Sequence, residues 1–65
     1  MKEAILLLTA REKEVMNFLS CGLSYKDIAQ RLKISPETVK KHLKNIYRKL
    51  RVQNKVEAVN RLRIV

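Results

Sequence analysis

The side chains with most to offer chemically lie between residues 38 and 56. Seven positions there are basic (Lys40, Lys41, Lys44, Arg48, Lys49, Arg51 and Lys55) and none is acidic. On a helix turning about 100° per residue, Lys40, Lys41, Lys44 and Arg48 gather within about 100° of one another, and Val39, Leu43, Ile46 and Leu50 form a stripe well removed from them. Charge on one helix face ordinarily means solvent, but solvated faces interleave signs to gain i, i+4 pairs. Here like charges stack at 40, 44 and 48, where they repel. A face that accepts such repulsion is suited to meet phosphates. The whole chain leans the same way: 15 Lys and Arg against 6 Asp and Glu give a net charge of +9 over 65 residues, which calls for an anionic partner.

Other chemistries find little support. One cysteine, Cys21, cannot form an internal disulfide, and with the single histidine, His42, it cannot build a Cys/His zinc site. Gly22 stands alone, so there is no glycine-rich phosphate loop. No paired carboxylates, no nucleophile with a base and too little chain to enclose a substrate argue against an enzyme. No cofactor and no metal are expected. Cys21 has no basic neighbour in sequence to activate its thiol as a redox sensor. The apolar run Ala4–Leu8 is five residues, short of the roughly 7–15 of a signal h-region or the ~20 of a membrane span. A cytoplasmic protein that does not enter membranes is the expectation.

Elements that must hold the basic face are legible from their caps. With one Gly and one Pro, the chain has little turn punctuation for an all-β fold. Thr9 and Glu12 have capping-box spacing, followed by Val15, Phe18 and Leu19 at helical period and a stop at Gly22. Ser24 and Asp27 repeat the spacing ahead of Ile28, Ala29 and Leu32. Ser35 caps a third segment with Pro36 at its first helical position. Asn54 and Glu57 open a fourth, bearing Ala58, Val59 and Leu62. The spacing predicts an all-α fold of four helices, at about 10–21, 25–32, 36–50 and 55–63. Residues 1–7 read as a lead-in or linker remnant and 8–65 as one domain, whose core is marginal at this length.

The turn at Lys33–Ser35 joins helices two and three tightly, with small Ala29 at the presumed crossing. That is a helix-turn-helix layout, which places the second helix of the pair in the DNA major groove with its N-terminal residues toward base edges.

The string LTAREKEV (residues 8–15), with Gly22, Ile28-Ala29, Leu32, Ile34-Ser35, Thr38-Val39-Lys40, His42, Asn45-Ile46, Lys49-Leu50, Val52 and Glu57-Ala58-Val59, resembles the LuxR/FixJ/NarL-type (GerE-like) DNA-binding domain over residues 8 to about 62. The resemblance implies an output domain of a bacterial transcription regulator, such as a response regulator of a two-component system, or a small stand-alone regulator. By position, Lys40, Lys41 and Lys44 resemble groove-facing base readers, and lysine donates well to guanine O6 and N7. Ser24, Lys26, Thr38, Asn45, Arg48 and Lys55 resemble phosphate contacts. The resemblance also makes helix four the dimer contact. Lys33 and Arg51 stand where such domains often carry Gly, and a positive φ at either would cost roughly 1–2 kcal/mol.

Several residues admit a plainer reading. Thr38 can bond its own backbone as readily as a phosphate. His42, between the two faces, reads as a partly buried side chain with a hydrogen bond, and Tyr47 as core with its hydroxyl at the rim. Tyr25 is either surface packing or a DNA-backbone contact, and Arg11, Glu12 and Glu14 tie helix one to its neighbours. Apolar Val56, Ala58, Val59 and Leu62 exceed what one short helix can hide, so part of helix four, at Val56, Val59 and Leu62, is expected to be a homodimer seam. The seam is too small to hold without DNA, so the expected state is a monomer that pairs on the duplex. RNA polymerase is a further candidate partner. Two alternatives compete: a sigma-factor-like or non-specific DNA-binding module, and a basic amphipathic membrane- or partner-binding module. The LTAREKEV start and Glu57-Ala58-Val59 ending weigh against the first, and an apolar stripe already matched by three partner helices against the second.

Overall fold

The computed structural model describes residues 6–62, the side chain of Leu62 excepted, so residues 1–5 of the expected lead-in and 63–65 lie outside it. The described residues contain four principal helices and no strand: α1 (Ala10–Ser20), α2 (Tyr25–Leu32), α3 (Pro36–Leu50) and α4 (Lys55–Leu62). The all-α fold read from the caps is the one observed.

Each start is built from side chains within four residues. The Thr9 hydroxyl accepts from the Glu12 amide at 3.1 Å while Glu12 Oε1 accepts from the Thr9 amide at 2.9 Å. Ser24 and Asp27 make the same reciprocal pair. Ser35 Oγ accepts from the Thr38 amide, with Pro36 in the first turn where its missing N–H is no loss. At α4, Asn54 Oδ1 accepts from the Glu57 amide and Glu57 Oε1 from the Gln53 amide, both at 2.9 Å.

The first three helices end alike. Just beyond each of these helices one residue takes a left-handed conformation: Gly22 (φ 93°), Lys33 (φ 57°) and Arg51 (φ 57°). The next amide then reaches back five residues, from Leu23 to Phe18, Ile34 to Ala29 and Val52 to Tyr47, at 3.0–3.2 Å. This is the Schellman geometry, and it swings an apolar residue into the core after each helix. Val52 is buried, and Leu23 and Ile34 pack against the core at its edge. Lys33 and Arg51 therefore do hold the positive φ that a side chain resists. Lys33→Gly and Arg51→Gly are each expected to stabilise the domain by about 1 kcal/mol, the left-handed strain less the extra entropy of glycine. Thermal melts would check this, and a lower melting temperature in both would contradict it.

The centre of the core is Val15, Ile28, Val39, Ile46 and Leu50, all fully buried, with Leu8, Met16, Leu19, Ala29, Val52 and Ala58 around them. Ala29 at 3% exposure lets α2 and α3 approach closely. Phe18 and Leu43, read as core, are only partly buried, and Met16 takes a central place instead. α3 thus lies with its apolar stripe inward and its opposite side free.

Candidate nucleic-acid interface

The stripe of Val39, Leu43, Ile46 and Leu50 fixes the rotation of α3. Directly opposite that stripe, to within about 10° at the helical period, lie Lys41 and Arg48; Lys44 is about 50° away. Lys40 and Lys49 fall about 90° to either side, on the flanks. Lys40, Lys41, Lys44 and Arg48 are all exposed. The exposed face is thus cationic along its length, with Glu37 in the first turn as its one acidic residue.

The flanking lysines are held by the neighbouring helices. Lys49, counted with the basic run from sequence, turns instead toward α1, where its Nζ donates to Glu12 Oε1 at 2.7 Å. Glu12 is the one buried charged residue among those described, at 4% exposure. Burial alone would raise its pKa. The Lys49 hydrogen bond, the Thr9 amide, the Lys49 charge and nearby His42 outweigh that and hold it below the usual 4.5. One carboxylate therefore caps α1 and clamps α3 to it. On the other flank, the Lys40 ammonium sits 4.8 Å from the centre of the Tyr25 ring.

A group with a depressed folded pKa adds stability above its unfolded value, and that stability fades as pH falls through the folded one. The protein is therefore expected to lose stability in acid, from about pH 4.5 downward, as Glu12 protonates. Glu12→Gln should flatten this acid limb while costing about 1.5–3 kcal/mol at neutral pH, the range for hydrogen bonds to a charged group. Urea titrations between pH 3 and 7 read both effects, and an unchanged acid limb in the variant would refute the assignment.

Other side chains land in mixed places. The Arg48 guanidinium donates to Asn45 Oδ1 at 2.7 Å, so these two candidate phosphate contacts form one unit on the exposed face. The Ser24 hydroxyl bonds Asp27 at 3.0 Å, and the Thr38 hydroxyl pairs with that of Ser35 at 2.8 Å. Both hydroxyls are thus occupied locally, whereas Lys26 is exposed beside Tyr25. Lys55 borders a shallow groove of about 230 Å³ between α1 and α4, lined also by Leu19, Gly22, Val56 and Val59. Of the residues read as a dimer seam, Val56 is 66% exposed, Val59 is half-buried against the core, and the Leu62 side chain lies outside the described residues.

Some expectations need correction. His42 is half-buried but makes no side-chain hydrogen bond among the described residues. Its position beside the Glu12–Lys49 pair places it near a negative charge without a bonded partner. Arg11 does not reach a neighbouring helix; it lies 3.9 Å from Glu14 on its own helix, an exposed i, i+3 pair of little weight. Glu12 alone makes the crossing. Tyr25 is half-buried and packs against the core, and Tyr47 does likewise, its hydroxyl pKa raised by burial. No group of His, Cys, Asp or Glu suited to a metal occurs among the described residues. No helix among them is long and apolar enough to cross a membrane.

The profile of the family described as "Bacterial regulatory proteins, luxR family" matches residues 6–62. The chain is 50% identical over 54 residues to the CsgBAC operon transcriptional regulatory protein of Escherichia coli, covering 83% of this chain and 25% of that protein. It is 45% identical over 53 residues to the probable transcriptional regulatory protein NarL of Mycobacterium tuberculosis, covering 82% of this chain and 24% of that one. A putative HTH-type transcriptional regulator of E. coli, YhjB, is 44% identical over 57 residues, 88% of this chain and 28% of its own length. The chain spans about a quarter of the length of these relatives. An inward apolar stripe, an outward cationic face and the family match over 6–62 agree: the chain belongs to the luxR family of bacterial regulatory proteins and carries that family's helix-turn-helix, DNA-binding domain of transcription regulation.

Proposed function

We propose that this domain reads duplex DNA by laying the exposed face of α3 in the major groove, as the output element of a cytoplasmic bacterial transcription regulator. The observation that carries this is the face itself: Lys41, Lys44 and Arg48 are exposed on the side of α3 opposite its apolar stripe, uncovered by the other described helices. A helix of that diameter fits the major groove, and its N-terminal half enters deepest. Lys40, Lys41 and Lys44 supply donors toward base edges. Arg48 with Asn45, together with Lys26 and Lys55, supplies contacts to phosphates, which set register and much of the affinity. Ser24 and Thr38 would join them by exchanging their hydroxyl bonds to Asp27 and Ser35 for a phosphate oxygen. The chemistry is recognition, with no catalytic step.

Two such domains would occupy half-sites related by a two-fold axis, meeting through α4 at Val56, Val59 and Leu62. The resemblance of residues 8 to about 62 to LuxR/FixJ/NarL-type domains, together with the likeness to a probable transcriptional regulatory protein, supports an assignment to a response regulator, whose signal would enter through a part of the protein other than this domain. RNA polymerase would then be the downstream partner. A sedimentation run should show a monomer without DNA; a tight dimer there would overturn the pairing scheme.

In-vitro selection from a random duplex pool, with the winning site titrated against salt, tests the central proposal. An inverted or tandem repeat supports paired, sequence-reading domains. Tight binding without sequence preference would refute base readout, and no duplex binding at low salt would refute the function.

A further inference from the structure

The two flanks of α3 are treated differently from its centre. Lys49 is removed from the exposed face by Glu12 of α1. On the opposite flank Lys40 is drawn toward α2, its ammonium 4.8 Å from the Tyr25 ring centre, within reach of a cation–π contact. Tyr25 is the first residue of α2, between Ser24 and Lys26. Its ring is half-buried and packed against the core, so it is a fixed platform, whereas Lys40 is exposed and otherwise free to sweep. By rotation alone Lys40 already points about 90° from the centre of the face, and the ring holds it there.

We propose that Tyr25 is a positioning residue that holds the Lys40 ammonium on the α2 side of the interface. There it meets a backbone phosphate and not a base edge, and base reading is left to Lys41 and Lys44. The inference rests on the duplex-binding reading above and revises it at one residue: Lys40, grouped there with the base readers by its position on α3, moves to the phosphate contacts because of the Tyr25 ring beside it. Lysine held on an aromatic face keeps its charge and its three donors, so it still neutralises a phosphate. What it loses is the reach along the groove floor that discriminates bases.

The test uses the whole 65-residue chain on its selected duplex and on a random duplex of equal length. Lys40→Ala is expected to weaken both alike, to lower the salt slope by about one and to leave base preference unchanged. Tyr25→Leu should weaken both by about two- to fivefold, the scale of an exposed cation–π contact. In the Lys40→Ala background the same Tyr25→Leu change should have no further effect, because the ring then has nothing to hold. Tyr25→Phe, which keeps the ring, should match the parent. Circular dichroism melts identify any loss of fold in Tyr25→Leu, and Tyr25→Phe with the Lys40→Ala pair decides the matter if that variant fails to fold.

A change of preferred base on Lys40→Ala would overturn the inference and leave the duplex-binding reading intact. So would an equal loss from Tyr25→Leu in both backgrounds, or a loss in Tyr25→Phe as large as in Tyr25→Leu. Failure of the parent to bind any duplex would overturn both.

Discussion

Ile46→Ala is expected to remove about 2–5 kcal/mol of stability, and with it all DNA binding at ordinary temperatures. Ile46 has 0% exposure and lies at the centre of the core, on the inner stripe of α3. Truncation deletes buried methyl groups and leaves a cavity that the surrounding side chains refill only in part. A domain of this size has about 3–10 kcal/mol of total stability at the usual 0.05–0.15 kcal/mol per residue. One such cavity is therefore of the same order as the whole. Because α3 is both the core's central helix and the carrier of the cationic face, its inner side decides whether the outer side exists. Urea unfolding would show a lower midpoint at unchanged slope. A loss of less than about 1 kcal/mol in unfolding free energy would mean that the core collapses around the gap and that Ile46 is not central.

The second large effect separates two roles on the outer face. Lys44→Ala should cost about 1–3 kcal/mol on the selected site, and relax preference at one base position. Arg48→Ala should weaken every duplex alike and lower the salt slope by about one. The two residues are four apart on the same exposed face, so charge and helix context are nearly matched. What differs is depth and mobility. Lys44 lies nearer the N-terminal end that enters the groove, whereas Arg48 is a turn further back and is braced by Asn45 Oδ1 at 2.7 Å. A braced guanidinium suits a phosphate, whose position is the same for every sequence. Identical behaviour of both variants on selected and random DNA would remove the distinction between base reading and backbone contact.

How much of this was legible beforehand follows from the range of each interaction. Thr9 with Glu12, Ser24 with Asp27, Ser35 with Pro36 and Asn54 with Glu57 act within four residues, so the helix starts could be read directly. The inward stripe of α3 and the outward lysines are a property of one helix's period, and they too were visible. Gly22 announced its turn by residue type, whereas Lys33 and Arg51 hold the same left-handed geometry without it. Only likeness to other chains pointed to those two, since nothing local favours a lysine or arginine there.

The sequence by itself determined the four caps, the register of the apolar stripe and the excess of positive charge on α3. These depend on neighbours along the chain, whose geometry the helix dictates. The tertiary structure decided which cations remain available: it paired Lys49 with Glu12, 37 residues away, seated Lys40 over Tyr25, and left His42 half-buried without a hydrogen-bond partner among the described residues. Those outcomes turn on how α1 and α2 cross α3, and a crossing angle is set by the packing of whole side-chain surfaces and by no single spacing in the chain.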